Sequence, residues 1–199
     1  PEKKSRVISE KERRLTAYHE AGHAVTARVL PNSDPVHMVT IVPRGMAGGF
    51  TAYLPEDDRQ YMTKGQMEDE IVQMLGGRVA EALVLEDIST GAQNDIERAT
   101  KLARRMVTHY GMSKNLGPMT YGTDDEEVFI GRDFGRARNY SEQVAAAIDK
   151  EMRTIIDRAY QKAEEILTEN MDKLHKVAEA LLEKETLDSK EFEEVFMSA

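Results

Sequence analysis

Residues 15–25 read Leu15-Thr16-Ala17-Tyr18-His19-Glu20-Ala21-Gly22-His23-Ala24-Val25. Ser9, with Glu12 three residues on, makes a capping-box pattern ahead of this stretch and sets a helix start near residue 10. Leu15, Tyr18, Gly22, Val25 and Val29 recur at helical spacing, until Pro31 and the run NSDP at 32–35 end the helix. His19 and His23 stand one helical turn apart, so both imidazoles project from the same face. Two ring nitrogens so placed can reach one tetrahedral Zn²⁺ at about 2.0–2.1 Å. Glu20 lies about a hundred degrees round from His19, beside such a metal and not on it. There it can take a proton from water attacking a carbonyl and later serve the leaving amine. So short a pattern also arises by chance on surface helices. Here, however, both histidines lie on or next to the apolar stripe of Leu15, Tyr18 and Gly22, and small Ala21 and Gly22 keep bulk away. Buried imidazoles are costly without a partner, and a metal supplies one.

A catalytic zinc takes three protein ligands and keeps one position open. The longer motif that adds Gly and a third His fails here, because Thr26 and Val29 occupy those positions. His37 falls in a strand, His109 near a helix end and His175 in the distal helical part, so the third ligand is expected to be a carboxylate from another helix. Glu68, Glu70, Glu81, Asp87, Asp95 and Glu97 are the candidates by position. Thr90 read as an N-cap puts Asp95 in the second turn of its helix, where a charge favoured by the helix dipole explains it equally well. Spacing alone does not choose among the six.

Outward from the first helix, VHMVTIV at 36–42 is β-rich between Pro35 and Pro43, and residues 50–54 read as its pairing strand beyond Gly45, Gly48 and Gly49. A second helix follows Thr63, with Gln66 at the box position, and runs to about residue 85. Gly76-Gly77 interrupts it at about 1 kcal/mol per glycine, a cost that close packing on another backbone would explain. A third helix starts after Thr90, with Gln93 completing a box, and ends near Tyr110-Gly111. Residues 112–140 are Gly-rich and polar, expected to be mobile, with a short strand at 119–121. From Ser141 the pattern is helical: Val144, Ile148, Ile155, Ala159 and Ile166 line one face, then Leu174, Val177, Leu181 and Leu182 the next. Asp188 with Glu191 caps a last short helix. The fold class is mainly α with one small β-sheet and a C-terminal helical segment, a single domain over 1–199. Its catalytic part is 1–140 and its helical extension 141–199.

The 199 residues are 40% hydrophobic, enough for a core, and the net charge of -9 argues against a nucleic-acid groove. The densest basic stretch, 132–138, mixes three arginines with Asp133 and reads as a mobile loop. There is no cysteine, which excludes disulfides, thiolate metal sites and a cysteine nucleophile, and leans towards a bacterial source. No apolar run approaches the ~18 residues of a membrane span. The chain begins Pro1-Glu2-Lys3-Lys4, which is no signal peptide and lacks an initiator Met, as expected for a piece of something longer.

Residues 16–24 (TAYHEAGHA) resemble the peptidase domain of the FtsH family, the membrane-anchored AAA+ proteases. So do DPVH at 34–37, VTIVPRG at 39–45, GGRVAE at 76–81, STGAQND at 89–95, NYSE at 139–142 and LEKETL at 182–187. The resemblance covers nearly the whole chain. It implies zinc ligands at His19, His23 and Asp95, a catalytic glutamate at Glu20, and Glu81 as a partner that orients a zinc histidine. It further implies an ATPase module and membrane spans upstream, a homohexameric ring, and unfolded polypeptides as substrates. ATP and Mg²⁺ would then bind only the full-length protein, whose anchored form would present this domain to the cytoplasm. Residues Gly48, Gly49, Phe50, Thr51 and Ala52 are expected to form an edge strand to which an extended substrate adds by main-chain hydrogen bonds. Two other readings compete: an assembly module with a structural zinc, and a zinc hydrolase of small molecules. An open coordination position and Glu20 disfavour the first, and the absence of any recognisable small-ligand pattern disfavours the second.

Overall fold

The computed structural model describes residues 8–45, 47–122 and 138–199. Most of the basic stretch 132–138 and half of the expected loop 112–140 lie outside them. Ser9 Oγ accepts the Glu12 amide at 3.1 Å, and α1 runs Glu10–Val29. The chain leaves it at Leu30, in extended backbone, ahead of Pro31. An apolar stripe on one side was the expectation; instead, every residue from Ala17 to Ala27 is buried. The reason is tertiary: α1 is the central helix, packed by α2 (Lys64–Ala80) and α5 (Met171–Lys184) and touched by the sheet.

Both halves of the Thr63–Gln66 capping box form at the start of α2. Its last turn widens into a π-turn, Glu81–Leu85, closed by Glu86 in the left-handed region at φ 54°. The Gly76-Gly77 pair leaves the helix unbroken and lets it approach α1. A Cβ on Gly22 would sit 2.4 Å from the Gly76 carbonyl oxygen, and one on Gly76 would sit 2.8 Å from that of Gly22. The close-packing explanation holds. Gly22 therefore serves the helix contact, and not clearance for the histidines as the sequence suggested.

Strands β1 (Val36–Thr40) and β2 (Phe50–Tyr53) pair antiparallel, with a bulge between Val36 and Met38. A third strand that the pattern does not reveal, β3 (Thr186–Asp188), pairs with the other side of β1 to give the order β2-β1-β3. Three residues are too short for a periodicity signal. Tertiary contacts specify β3 instead: Leu187 is fully buried and the Glu185 carbonyl accepts the Ile41 amide at 2.9 Å.

The expected N-cap at Thr90 is also corrected. Ser89 is the extended cap residue, its Oγ accepts the Gly91 amide, and a 3₁₀ turn (Thr90–Ala92) leads into α3 (Gln93–Thr108). Asp95 consequently sits in the first turn of α3, not the second. No strand forms at 119–121. The Tyr121 amide donates to the Thr108 carbonyl at 2.8 Å, its hydroxyl to the Leu116 carbonyl, and its ring packs edge-on against Tyr140. With its backbone and hydroxyl satisfied at the end of α3, the segment has no strand to pair with.

Helix α4 (Glu142–Glu169) starts at the Ser141 cap, and α6 (Ser189–Met197) at a complete Asp188–Glu191 box. Ala159, Ala163, Ile166 and Leu167 of α4, Leu174, Val177 and Leu181 of α5 and Phe192 of α6 enter the same hydrophobic core as Ala17, Val25, Val39 and Ile71. No described helix is long and apolar enough to cross a membrane.

Candidate metal centre and active site

Helix α1 presents His19 and His23 with their Nε2 atoms 3.0 Å apart. Asp95 Oδ2, arriving from the first turn of α3, lies 3.0 Å from one and 3.2 Å from the other. The helical spacing of the two histidines is local geometry. The approach of Asp95 is not, because 76 residues separate it from His19.

Both rings are oriented from behind. His23 Nδ1 lies 2.8 Å from the Gln73 carbonyl oxygen, which can only accept, so that nitrogen carries the proton. His19 Nδ1 lies 2.8 Å from Glu81 Oε2, and Glu81 Oε1 also takes the backbone N–H and the hydroxyl of Ser89. Glu81 is fully buried. Burial alone would raise its pKa, but hydrogen bonds from His19 and Ser89 outweigh that and hold it below the ordinary carboxylate value, so it stays ionised. Gly77 leaves room for the His19 ring: a Cβ there would meet Cε1 at 2.6 Å.

With both Nδ1 atoms committed as donors, two imidazole lone pairs and a carboxylate oxygen converge on one point. Such a donor set calls for positive charge. Without a cation there, a proton supplies it: burial opposes a charged His19, yet hydrogen bonds to Asp95 and Glu81 and the charge of Glu20 and Asp95 raise its pKa to about 10. Burial likewise opposes ionised Asp95, but the two histidines depress its pKa well below the ordinary value. Protons and a divalent cation therefore compete for this spot. Two imidazoles and one carboxylate suit Zn²⁺ and leave a coordination position for chemistry. His19, His23 and Asp95 form the one group of three or more potential ligands among the described residues, all donor atoms lying within 4.8 Å of one another.

The other candidates lie apart from it. Glu68 pairs with Lys64, Glu97 with Lys101, and Asp87 accepts the Ile88 amide. Glu70 lines the cleft but is not in the ligand group. His37 is exposed on the β1 bulge, and His109 packs edge-on against Tyr110. His175 Nδ1 lies 2.7 Å from the Tyr18 hydroxyl. Glu20 is buried beside the histidines, outside the ligand group, and Thr51 Oγ1 donates to its Oε2 at 2.6 Å. Sequence reasoning missed Thr51, Gln73 and Ser89. Thr51 lay inside the expected edge strand, but only the β2–α1 contact reveals what its hydroxyl does. Residues 48–52 line the same cleft as His19, Glu20, His23 and Asp95.

Glu81→Gln tests the support of His19. A neutral amide can accept from His19 or from Ser89, but not from both. Zinc affinity is expected to fall on the order of 10–100-fold in competition with a chromophoric chelator. Unchanged affinity would show that the hydrogen bond does not tune the site.

The family profile of Peptidase family M41 matches residues 6–195. The chain is 68% identical over 196 residues to the "ATP-dependent zinc metalloprotease FtsH 1" of Thermoanaerobacter sp. (strain X514), covering 98% of this chain and 32% of that one. It is 66% identical over 192 residues to the "ATP-dependent zinc metalloprotease FtsH" of Caldicellulosiruptor bescii, covering 96% and 31%. Against the "ATP-dependent zinc metalloprotease FtsH 2" of Alkaliphilus metalliredigens the identity is 64% over 195 residues, covering 98% and 28%. The chain thus spans about a third of the length of the curated relatives it matches.

Proposed function

The chain belongs to peptidase family M41 and is a zinc-metalloprotease domain of the FtsH type, and from that premise we propose that it cleaves internal peptide bonds of unfolded polypeptides as one part of a longer ATP-dependent protease. The single observation that carries this reading is the convergence of His19, His23 and Asp95 beside a buried glutamate that is not part of the ligand group. These three residues would hold Zn²⁺. When bound, the metal supplies Lewis acidity, polarising a carbonyl and bringing the pKa of water down to about 7. Glu20 takes the proton of the attacking water and delivers it to the leaving amine, with Thr51 holding its carboxylate in register. Glu81 and the Gln73 carbonyl keep both Nε2 atoms facing the ligand point.

The sheet order supports a place for the substrate. β2 is an edge strand, and residues 48–52 border the cleft. An extended chain added there is recognised by its backbone, which suits an enzyme that must accept many sequences. The upstream ATPase module, the homohexameric ring and a membrane anchor presenting this domain to the bacterial cytoplasm complete the proposal. Its support is that the relatives are named as ATP-dependent proteases, their greater length and the family resemblance. A structural zinc is not favoured, since it would be closed by a fourth ligand and would leave Glu20 without a role.

The zinc-loaded protein is expected to cleave a fluorescently labelled, unfolded casein-like chain. A strong chelator should abolish cleavage and stoichiometric Zn²⁺ should restore it. Zinc binding without cleavage, persisting in the full-length protein with ATP, would overturn the peptidase reading.

A further inference from the structure

We propose that Tyr53 is a catalytic residue of this site, its phenolic O–H donating to the carbonyl oxygen of the scissile peptide as that oxygen gains negative charge. This rests on the peptidase reading above. Placement follows from the pleat of β2. Thr51 faces α1 and reaches Glu20, and Tyr53, two residues on, projects from the same face about 7 Å further along the strand. It lines the cleft together with His19, Glu20, His23 and Asp95. Its hydroxyl oxygen accepts an N–H from the Gln73 side chain, and the Gln73 carbonyl is the group that holds His23. The phenol is thus anchored to the residue that positions a ligand imidazole.

A phenol both donates and accepts. Gln73 uses the accepting side, and no described residue takes the Tyr53 proton. A half-buried O–H without a protein acceptor, in a cleft wall, is a donor available to a bound ligand. The metal ligands, Glu20 and Thr51 cannot fill that role. Glu20 and Asp95 are acceptors, the Thr51 hydroxyl is spent on Glu20, and the Nδ1–H groups of His19 and His23 are spent on Glu81 and Gln73. An oxygen developing negative charge needs a preorganised donor in a water-poor site. Burial, and after it the charge of Glu20, hold the Tyr53 pKa well above the ordinary 10, so the proton is present throughout the neutral range.

Tyr53→Phe keeps the ring and removes only the hydroxyl. With a peptide substrate, kcat is expected to fall about 10²-fold, with KM and zinc stoichiometry unchanged. Affinity for a phosphinic pseudo-peptide, whose tetrahedral anion mimics the charged oxygen, should fall by a similar factor, while affinity for a cleaved product peptide should not. Equal kcat and equal phosphinate affinity in the two proteins would overturn the proposal. So would a variant whose lost rate returns when excess Zn²⁺ is added, since Tyr53 would then act only by positioning His23 through Gln73. A wild-type protein that neither cleaves peptides nor binds the phosphinate overturns the peptidase reading, and this assignment with it.

Discussion

Glu20→Gln is expected to lower peptide cleavage by about 10³-fold while zinc content stays at the wild-type level. The argument is geometric. Glu20 is buried beside the histidines but contributes no atom to the ligand group, so its amide analogue leaves the metal donors untouched. A glutamine oxygen can still accept the Thr51 hydroxyl, which reaches Oε2 at 2.6 Å, so the side chain keeps its place. What it loses is the capacity to take a proton. Parallel assays of the unfolded labelled chain and metal analysis of the same samples make the comparison. If the wild type cleaves and the variant holds equal zinc but does not, the role of Glu20 stands. Equal cleavage by both would sink the mechanism.

Gly22→Ala is expected to give the largest loss of stability. The new Cβ would lie 2.4 Å from the Gly76 carbonyl oxygen and 2.6 Å from Ala80 Cβ, and neither atom belongs to a flexible side chain. α1 and α2 must then separate along their central contact. Overpacking of this kind costs about 1–3 kcal/mol, more where backbone meets backbone, against about 1 kcal/mol returned by the better helix former. A net loss of about 2 kcal/mol corresponds to a melting temperature lower by roughly 4–8 °C at this chain length. The same separation moves Gln73, Gly77 and Glu81 away from the imidazoles they support, so zinc affinity falls as well. Gly65→Ala, whose Cβ would find only Asn32 Nδ2 at 3.5 Å and Thr63 Oγ1 at 4.0 Å, is the control and should melt at or slightly above the wild type, since it gains helix propensity without a clash. Thermal melts of both variants, with and without zinc, test this. A Gly22→Ala protein with unchanged melting refutes the close contact. One that melts lower yet binds zinc normally refutes its link to the metal site.

The two variants probe different levels of the same design. Glu20 acts through its own carboxylate, whereas Gly22 acts by being absent as a side chain. Between them lies α2, which with its π-turn contributes no ligand yet carries the Gln73 carbonyl, the gap at Gly77 and the buried Glu81. In sequence these look like a polar residue, a helix-weakening glycine and a helix-end charge.

Whatever depends on spacing within one element was legible in the residues. Ser9, Thr63, Ser141 and Asp188 cap the helices they precede, because a side-chain oxygen two or three residues from an unpaired N–H satisfies it locally. His19 and His23 share a face, and Glu20 turns away from it, because the helical repeat requires it. Local patterning faltered where two local solutions compete. Ser89 and Thr90 can each cap a helix, and Ser89 prevails because its hydroxyl and N–H are also drawn to Glu81, which Thr90 does not reach.

By itself, then, the sequence determined a mainly α chain, the position of each helix, and a pair of metal-binding imidazoles with a carboxylate beside them. Spacing left the rest open: the family resemblance named Asp95 and Glu81, but only the tertiary structure shows Asp95 beside both imidazoles, Glu81 behind His19, Thr51 on Glu20, and β3 on the far side of β1. These pairings span from 31 to 150 residues of chain, from Thr51–Glu20 to Asp188–Met38. Their distances are set by how α1, α2, α3 and the sheet pack, and no repeat within a single element encodes how it will meet another.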